Sequence, residues 1–223
     1  MNNGTNILTV PFFCSWSGGK DSALALYRSN GKKRCESLIT VLDETKERTR
    51  SHYISAENIK RQAESIGIPQ RFISASWDDY EREFKNEVRL YKDCGVADGV
   101  FGDIDIEQHR EWVERVCGES ETKAHFPLWG APRTDLVNDF INLGFRAIIV
   151  VVNRQLMPER FIGRIVDQAL IQELQSEGVD VCGENGEFHT FVLDGPLFCQ
   201  PIRIVHKEII SNGNYTFIDF TTD

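Results

Sequence analysis

The chain has no pair of cysteines two residues apart and no histidines at zinc-finger spacing, so neither a CxxC redox centre nor a structural zinc site is encoded. Its six cysteines (Cys14, Cys35, Cys94, Cys117, Cys182 and Cys199) read as reduced, mostly buried thiols. No stretch approaches the roughly 18 apolar residues of a membrane-spanning helix. Met1-Asn2-Asn3-Gly4-Thr5-Asn6 lacks the basic region and long apolar core of a secretory leader. A cytoplasmic location with no membrane partner is the resulting expectation. Positive charge is scarce: 25 Lys and Arg stand against 34 Asp and Glu, a formal net charge of −9. Such a surface repels phosphate backbones and argues against a general nucleic-acid binder, although a local basic patch stays compatible with it. Internal repeats and low-complexity segments are also missing.

What is present is a globular composition, with 223 residues of which 41% are hydrophobic and 26% charged. That length suits one large domain or two small ones. The first half alternates strand and helix patterns. Val10 to Trp16 is a short apolar run, followed by Ala23, Leu24, Leu26 and Tyr27 at helical spacing, with Gly31 as the stop. Ser37 to Leu42 reads as a second strand, Ala56 to Ile66 as a helix stopped by Gly67 and Pro69, and Arg71 to Ser74 as a third strand. A helix over Asp79 to Gly95 has Asp78 and Glu81 at capping-box spacing. Gly99 to Gly102 is a fourth strand, and Asp105 to Cys117 another helix. Alternation of this kind predicts βαβ units and a parallel sheet covered on both faces.

The pattern changes after Pro127. Leu136 to Leu143 and Ile165 to Leu174 read as helices, and Ala147 to Val152 as a buried strand. Phe188–Leu193, Ile202–Ile210 and Tyr215–Phe220 look like antiparallel strands, the last two joined by a turn at Asn212-Gly213-Asn214. The predicted fold is α/β: a parallel sheet domain over residues 1–128, then a smaller mixed α+β domain over 129–223 with a cleft between.

The strongest motif is Ser17-Gly18-Gly19-Lys20-Asp21-Ser22, between an apolar strand and a helix. Adjacent glycines let the backbone turn sharply and approach a ligand. The helix start then points N–H groups and its positive dipole end into the turn. Lys20 adds a full charge, and Ser17 and Ser22 add hydroxyl donors, which together make an anion cradle. Asp21 directly after the lysine excludes a Walker A loop. Asp21 itself reads either as a magnesium ligand or loop brace, or as a cap of the helix start. Ligands gather at the carboxyl ends of parallel strands, so Thr40, Val41 and Leu42 on the second strand are placed to offer backbone groups to an adenine, and Gly102, which ends the fourth strand, joins the nucleotide-binding set.

The SGGxDS string resembles the PP-loop of the ATP pyrophosphatases, the adenine-nucleotide α-hydrolases. That resemblance implies a HUP-type, Rossmann-like sheet and ATP held by its β,γ-phosphates, with the α-phosphate as electrophile and Mg²⁺ as companion ion. Further segments narrow it. They are Phe101-Gly102-Asp103-Ile104, Pro127-Leu128-Trp129, Gly163-Arg164-Ile165-Val166-Asp167, Gly183-Glu184-Asn185-Gly186-Glu187-Phe188-His189-Thr190 and Asp194-Gly195-Pro196. In this order the chain resembles the diphthine–ammonia ligase family and its prokaryotic relatives, over nearly its whole length. The resemblance implies an ATP-dependent amide-forming ligase: a carboxylate, small or protein-borne, is adenylated, and ammonia then displaces AMP. The family's diphthine enzymes carry Tyr-Glu-Thr where this chain has Phe188-His189-Thr190. That departure leaves the acceptor open and the ATP chemistry intact.

Several side chains are candidates with two readings each. Glu184 and Glu187 sit among glycines before a strand; they can bind or deprotonate ammonium or hold Mg²⁺, or form a solvated acidic turn. His189 is a proton shuttle near neutral pH or a structural strand residue. Asp103 is catalytic or an N-cap. Arg164 and Asp167, one helical turn apart, contact substrate or pair locally. His52 contacts substrate or lies on the surface, and Thr190 joins the substrate group. Trp129 packs between the lobes or stacks on a ligand. Lys20 belongs to both the nucleotide-binding and the catalytic sets. No cysteine stands in a glutaminase context, so ammonia comes free or from a partner. A homodimer is the assembly considered. The competing functions are a PP-loop enzyme that adenylates another small molecule or an RNA base, such as a thiolase, and a nucleotide-sensing module like the universal stress proteins.

Overall fold

A computed structural model describes residues 8–50 and 52–223. The hexapeptide Met1 to Asn6 read above for a leader, and Ser51, lie outside the described residues. The first unit is a five-stranded sheet in the order β3-β2-β1-β4-β5, with its neighbouring strands paired in parallel. Its strands are β1 (Phe12–Ser15), β2 (Cys35–Leu42), β3 (Gln70–Ser74), β4 (Asp98–Val100) and β5 (Lys123–His125). Helices α1 (Lys20–Arg28), α2 (Gly31–Arg34), α3 (Ala56–Ile66), α4 (Tyr80–Asp93) and α5 (Glu107–Glu119) connect them. The central strand shows why the sheet is covered twice. Phe12 and Cys14 face one apolar cluster, while Phe13 faces a second one under α4 and α5. This is the run of apolar residues that a strand buried on both faces requires.

The second unit is an antiparallel sheet, order β7-β6-β9-β8, from β6 (Arg146–Asn153), β7 (Phe188–Asp194), β8 (Ile204–Asn212) and β9 (Tyr215–Thr222). Helices α6 (Arg133–Asn142) and α7 (Gln168–Ser176) complete it. Its core is continuous with that of the first unit: Trp16, Leu24, Ile59 and Ala63 belong to the same cluster as Ile149, Phe191 and Phe220. Among the described residues no helix is long and apolar enough to cross a membrane.

Four local expectations need correction. Gly31 does not stop α1. The chain turns at Asn30, whose φ of 66° is left-handed, and Gly31 opens α2 pressed against Leu26. The Asp78/Glu81 capping box is absent: Asp79 occupies the N-cap, and Glu81 is drawn to Arg115, Lys85 and Trp112. The helix expected from Ile165 starts three residues later. Ile165 bridges to Ile148 instead, and Asp167 caps α7 by accepting from the Leu170 N–H at 2.8 Å. The three-residue β5 carried too little periodicity to be seen.

Candidate active site

The loop from Ser17 to Ser22 follows β1 and opens α1 at the carboxyl end of the parallel sheet. Gly18 takes φ +81°, and a Cβ there would lie 2.7 Å from Ile59 Cδ1 and 2.8 Å from Gln62 Oε1, so only glycine fits. Gly102 allows a second close approach, since its Cβ would stand 3.0 Å from the Ser22 backbone nitrogen. Inside the loop, Gly19 N–H donates to Ser17 Oγ at 3.2 Å and Ser22 Oγ donates to the Gly19 carbonyl at 3.0 Å. Lys20 N–H is used differently: it donates to Thr190 Oγ1 on β7 at 3.0 Å. The N–H groups of Asp21 and Ser22 find no acceptor among the described residues. They are therefore the free donors of the helix start.

Lys20 is 4% exposed, and its ammonium donates to Asp21 Oδ2 at 2.8 Å and to the Cys182 carbonyl. Burial works against its charge, but the charges of Asp21 and Glu184 outweigh that and hold its pKa above the ordinary lysine value. The lysine is a fixed cation. Around it lies a cavity of about 430 Å³ lined by both units. Lys20, Asp21, Ser22 and Asp103 come from the parallel sheet unit; Glu184, His189 and Thr190 come from the other.

Glu184 is half-buried in this cavity, and burial together with the Asp21 charge pushes its carboxyl up to about 7, against the pull of Lys20 and Arg133. Glu187 behaves otherwise. It is 6% exposed, and both its oxygens accept from Asn185 at 3.0 Å, so it braces the loop and does not line the cavity. Asp103 does line it. The N-cap of α5 is Ile106, which removes the capping reading, and burial raises the Asp103 carboxyl despite His109 at 3.7 Å.

His52 and His189 stack with ring centroids 4.4 Å apart. His52 Nδ1 donates to the Thr190 carbonyl at 3.2 Å, which fixes its tautomer. Burial drives His52 well below its ordinary value and His189 down to about 4. Burial thus favours the neutral form of both rings, and Glu184 is the carboxyl raised towards neutrality in the same cavity. Thr190, 2% exposed, accepts the Lys20 N–H at the start of α1 through Oγ1 and lines the cavity as well. Arg164 pairs with Glu173 at 2.7 Å and Asp167 caps α7; neither lines the three cavities described here. Trp129 packs on Phe126 and under Arg110, away from the same cavities.

Two further cavities open from the same sheet edge. One of about 130 Å³ is lined by Ile39, Thr40, Val41, Trp77 and Tyr80. Thr40 Oγ1 is committed to the Trp16 carbonyl at 2.6 Å, so its side chain is structural and only the backbone there is open to a ligand. The other, of about 710 Å³, has walls of Trp77, Tyr80, Phe84, Phe101 and Trp112 with Asp78, Glu81 and Asp103, and no Lys or Arg. Ser15, at the end of β1, lines all three cavities. Sequence reasoning passed over Ser15, His109, Trp77 and Tyr80; the position of Ser15 at the carboxyl end of the central strand was the available signal. Among the described residues no group of three or more His, Cys, Asp or Glu could hold a metal. Burial pushes the Cys35 and Cys182 thiols up to about 12 and Cys117 up to about 11, so none of these is a ready thiolate.

Comparison with known proteins follows the two units. A family model described as the diphthamide synthase N-terminal domain matches residues 12–124, and one described as the diphthamide synthase C-terminal domain matches residues 132–222. The diphthine–ammonia ligase of Danio rerio is 32% identical over 173 residues, covering 70% of this chain and 68% of the relative. The Homo sapiens protein of the same name is 30% identical over 158 residues, covering 69% and 59%. The Bos taurus protein is 32% identical over 135 residues, covering 58% and 51%. The chain thus spans 51% to 68% of the length of these relatives.

Proposed function

The chain belongs to the diphthamide synthase family, and from that premise we propose that it is an ATP-dependent ligase forming an amide from a carboxylate and ammonia. The observation that carries this reading is the composite cavity. A fixed Lys20 ammonium and two unpaired helix-start N–H groups share the cavity with a carboxyl that burial pushes up to about 7, Glu184, supplied by the other unit. In this reading residues 1–128 hold ATP and residues 129–223 complete the site.

The β,γ-phosphates of ATP sit on the Ser17–Ser22 loop, with adenine against the backbone of Thr40 and Val41. An acceptor carboxylate oxygen attacks the α-phosphorus, the bond to the β-phosphate breaks, and pyrophosphate leaves into the cradle. Lys20 and the N–H groups stabilise the charge that develops there. Ammonia then attacks the acyl carbon of the mixed anhydride and AMP departs. Glu184, with its pKa near neutrality, takes the proton released by the attacking nitrogen. Asp21 and Asp103, which line the same cavity, would hold Mg²⁺ together with the nucleotide's phosphates, because magnesium needs only one or two carboxylates beside a nucleotide. Bound there, it would neutralise phosphate charge.

The acceptor fits the 710 Å³ cavity, which meets the phosphate cavity at Ser15, Asp103 and His109. Its aromatic walls and carboxylates suit a body that is apolar and positively charged. The relatives are named for diphthine, and the acceptor of this chain is the variable to be screened. A cytoplasmic location and a homodimer complete the reading.

Calorimetry with MgATP, followed by assay of AMP and pyrophosphate across candidate carboxylates with and without ammonium, tests it. Ammonia-dependent AMP release is expected. Absence of any MgATP affinity would sink the reading, and binding without AMP release for every acceptor would make the chain a sensor.

A further inference from the structure

Arg133 is the first residue of α6, where a cation opposes the helix dipole and a carboxylate would be preferred. Its guanidinium is nonetheless held by three groups. Nε and Nη2 donate to the two oxygens of Asp105 at 2.7 and 2.8 Å, and Nη1 donates to Asp180 Oδ2 at 2.8 Å and to Asn185 Oδ1 at 3.3 Å. Asp105 follows Asp103 at the end of the parallel sheet; Asp180 and Asn185 flank the segment that carries Glu184.

The bonds continue inward. Asp180 Oδ1 accepts from Cys182 N–H at 3.2 Å and its Oδ2 from Glu184 N–H at 2.8 Å. The Cys182 thiol donates to the Arg133 carbonyl at 3.2 Å, and the Cys182 carbonyl accepts the Lys20 ammonium. Every link from Asp105 to Lys20 is therefore a hydrogen bond, and Arg133 is the side chain that joins Asp105 of the first unit to Asp180 of the second.

We propose that Arg133 is a positioning residue that fixes the 180–187 loop over the nucleotide site, setting at once where Glu184 stands and where the Lys20 ammonium points. Its fork suits this task, since a lysine cannot grip Asp105 with two parallel bonds and reach Asp180 as well. The unfavourable place at a helix start is tolerated because two carboxylates surround it.

The proposal rests on the ligase reading only for its turnover arm. In the full-length chain, Arg133→Gln, Arg133→Lys and Asp105→Asn are compared with the parent using MgATP as probe. Misplacement of the reacting groups predicts AMP formation lowered about 100-fold in Arg133→Gln, with the KM for ATP within about threefold. Arg133→Lys recovers only part of this, and Asp105→Asn, which cuts the anchor in the parallel unit alone, loses less. Unchanged kcat in Arg133→Gln with a lowered Tm would overturn the proposal and leave a purely structural ion pair. So would a loss confined to KM. If the parent makes no AMP with any acceptor, hydrogen exchange decides. The Cys182 and Glu184 amides should exchange about tenfold faster in Arg133→Gln while α6 keeps its protection, and unchanged exchange at both amides would also overturn it.

Discussion

The loop at residues 17–22 and the loop at residues 180–190 form facing walls of one cavity, yet they are held in place differently. The first takes its shape locally, from a strand end, two glycines and a helix start, with bonds from Ser17 and Ser22 that stay within six residues, and distant groups only buttress its Gly18 carbonyl and Lys20 N–H. The second is held at a distance. Thr190 caps a helix 170 residues away, and Asp180 depends on Arg133. One wall is encoded by a word in the sequence and the other by the packing of two sheets. Binding should accordingly belong to the first wall and chemistry to the second.

The largest expected effect tests the first wall. Lys20→Ala removes the fixed cation and should lower AMP formation about 1000-fold, with weakened MgATP affinity in calorimetry. Comparable loss of ATP binding on changing Glu184 would break the division between the walls.

Glu184→Gln should keep MgATP affinity and lower turnover about 100-fold. It should also change the pH dependence of stability. The carboxyl is raised from 4.5 to about 7, so the folded chain holds a proton there that the unfolded chain has lost in that window. Its stabilising contribution is full below pH 4.5 and falls as pH rises towards 7. Thermal melts of the variant should be flatter across this range than those of the parent.

Gly18→Ala should cost about 2 kcal/mol of stability, because the left-handed φ and the approach to Ile59 and Gln62 are both violated. Chemical denaturation measures it. Arg164→Ala should do least: its exposed bridge to Glu173 is worth about 0.5 kcal/mol or less, and turnover should not change.

The sequence disclosed the parallel unit well because Phe12, Phe13 and Cys14 must be apolar on both faces, and the SGGxDS turn has little use except an anion. It disclosed the second wall unevenly. Glu184 and Glu187 are chemically identical in the sequence, and only the structure shows one carboxyl free in the cavity and the other spent on Asn185. Arg164 and Asp167 looked paired on a helix, but the helix begins after them. His52 read as a loop residue, on the surface or at a substrate, because nothing near it in sequence reveals that β7 lies beneath it. Thr190 was singled out for substrate, and the structure adds that its hydroxyl also accepts the first N–H of α1.

Gln62 gives the last consequence. From α3 it donates to the carbonyls of Gly18 and Val192, at 3.0 and 2.7 Å, while Val192 N–H itself donates to the Gly18 carbonyl at 2.9 Å. The Ser17–Ser22 loop is thereby sewn to a strand encoded near the far end of the chain. A chimera that exchanged the two halves between relatives would have to carry this stitch intact, so the halves are expected to be inherited together and to melt in a single transition.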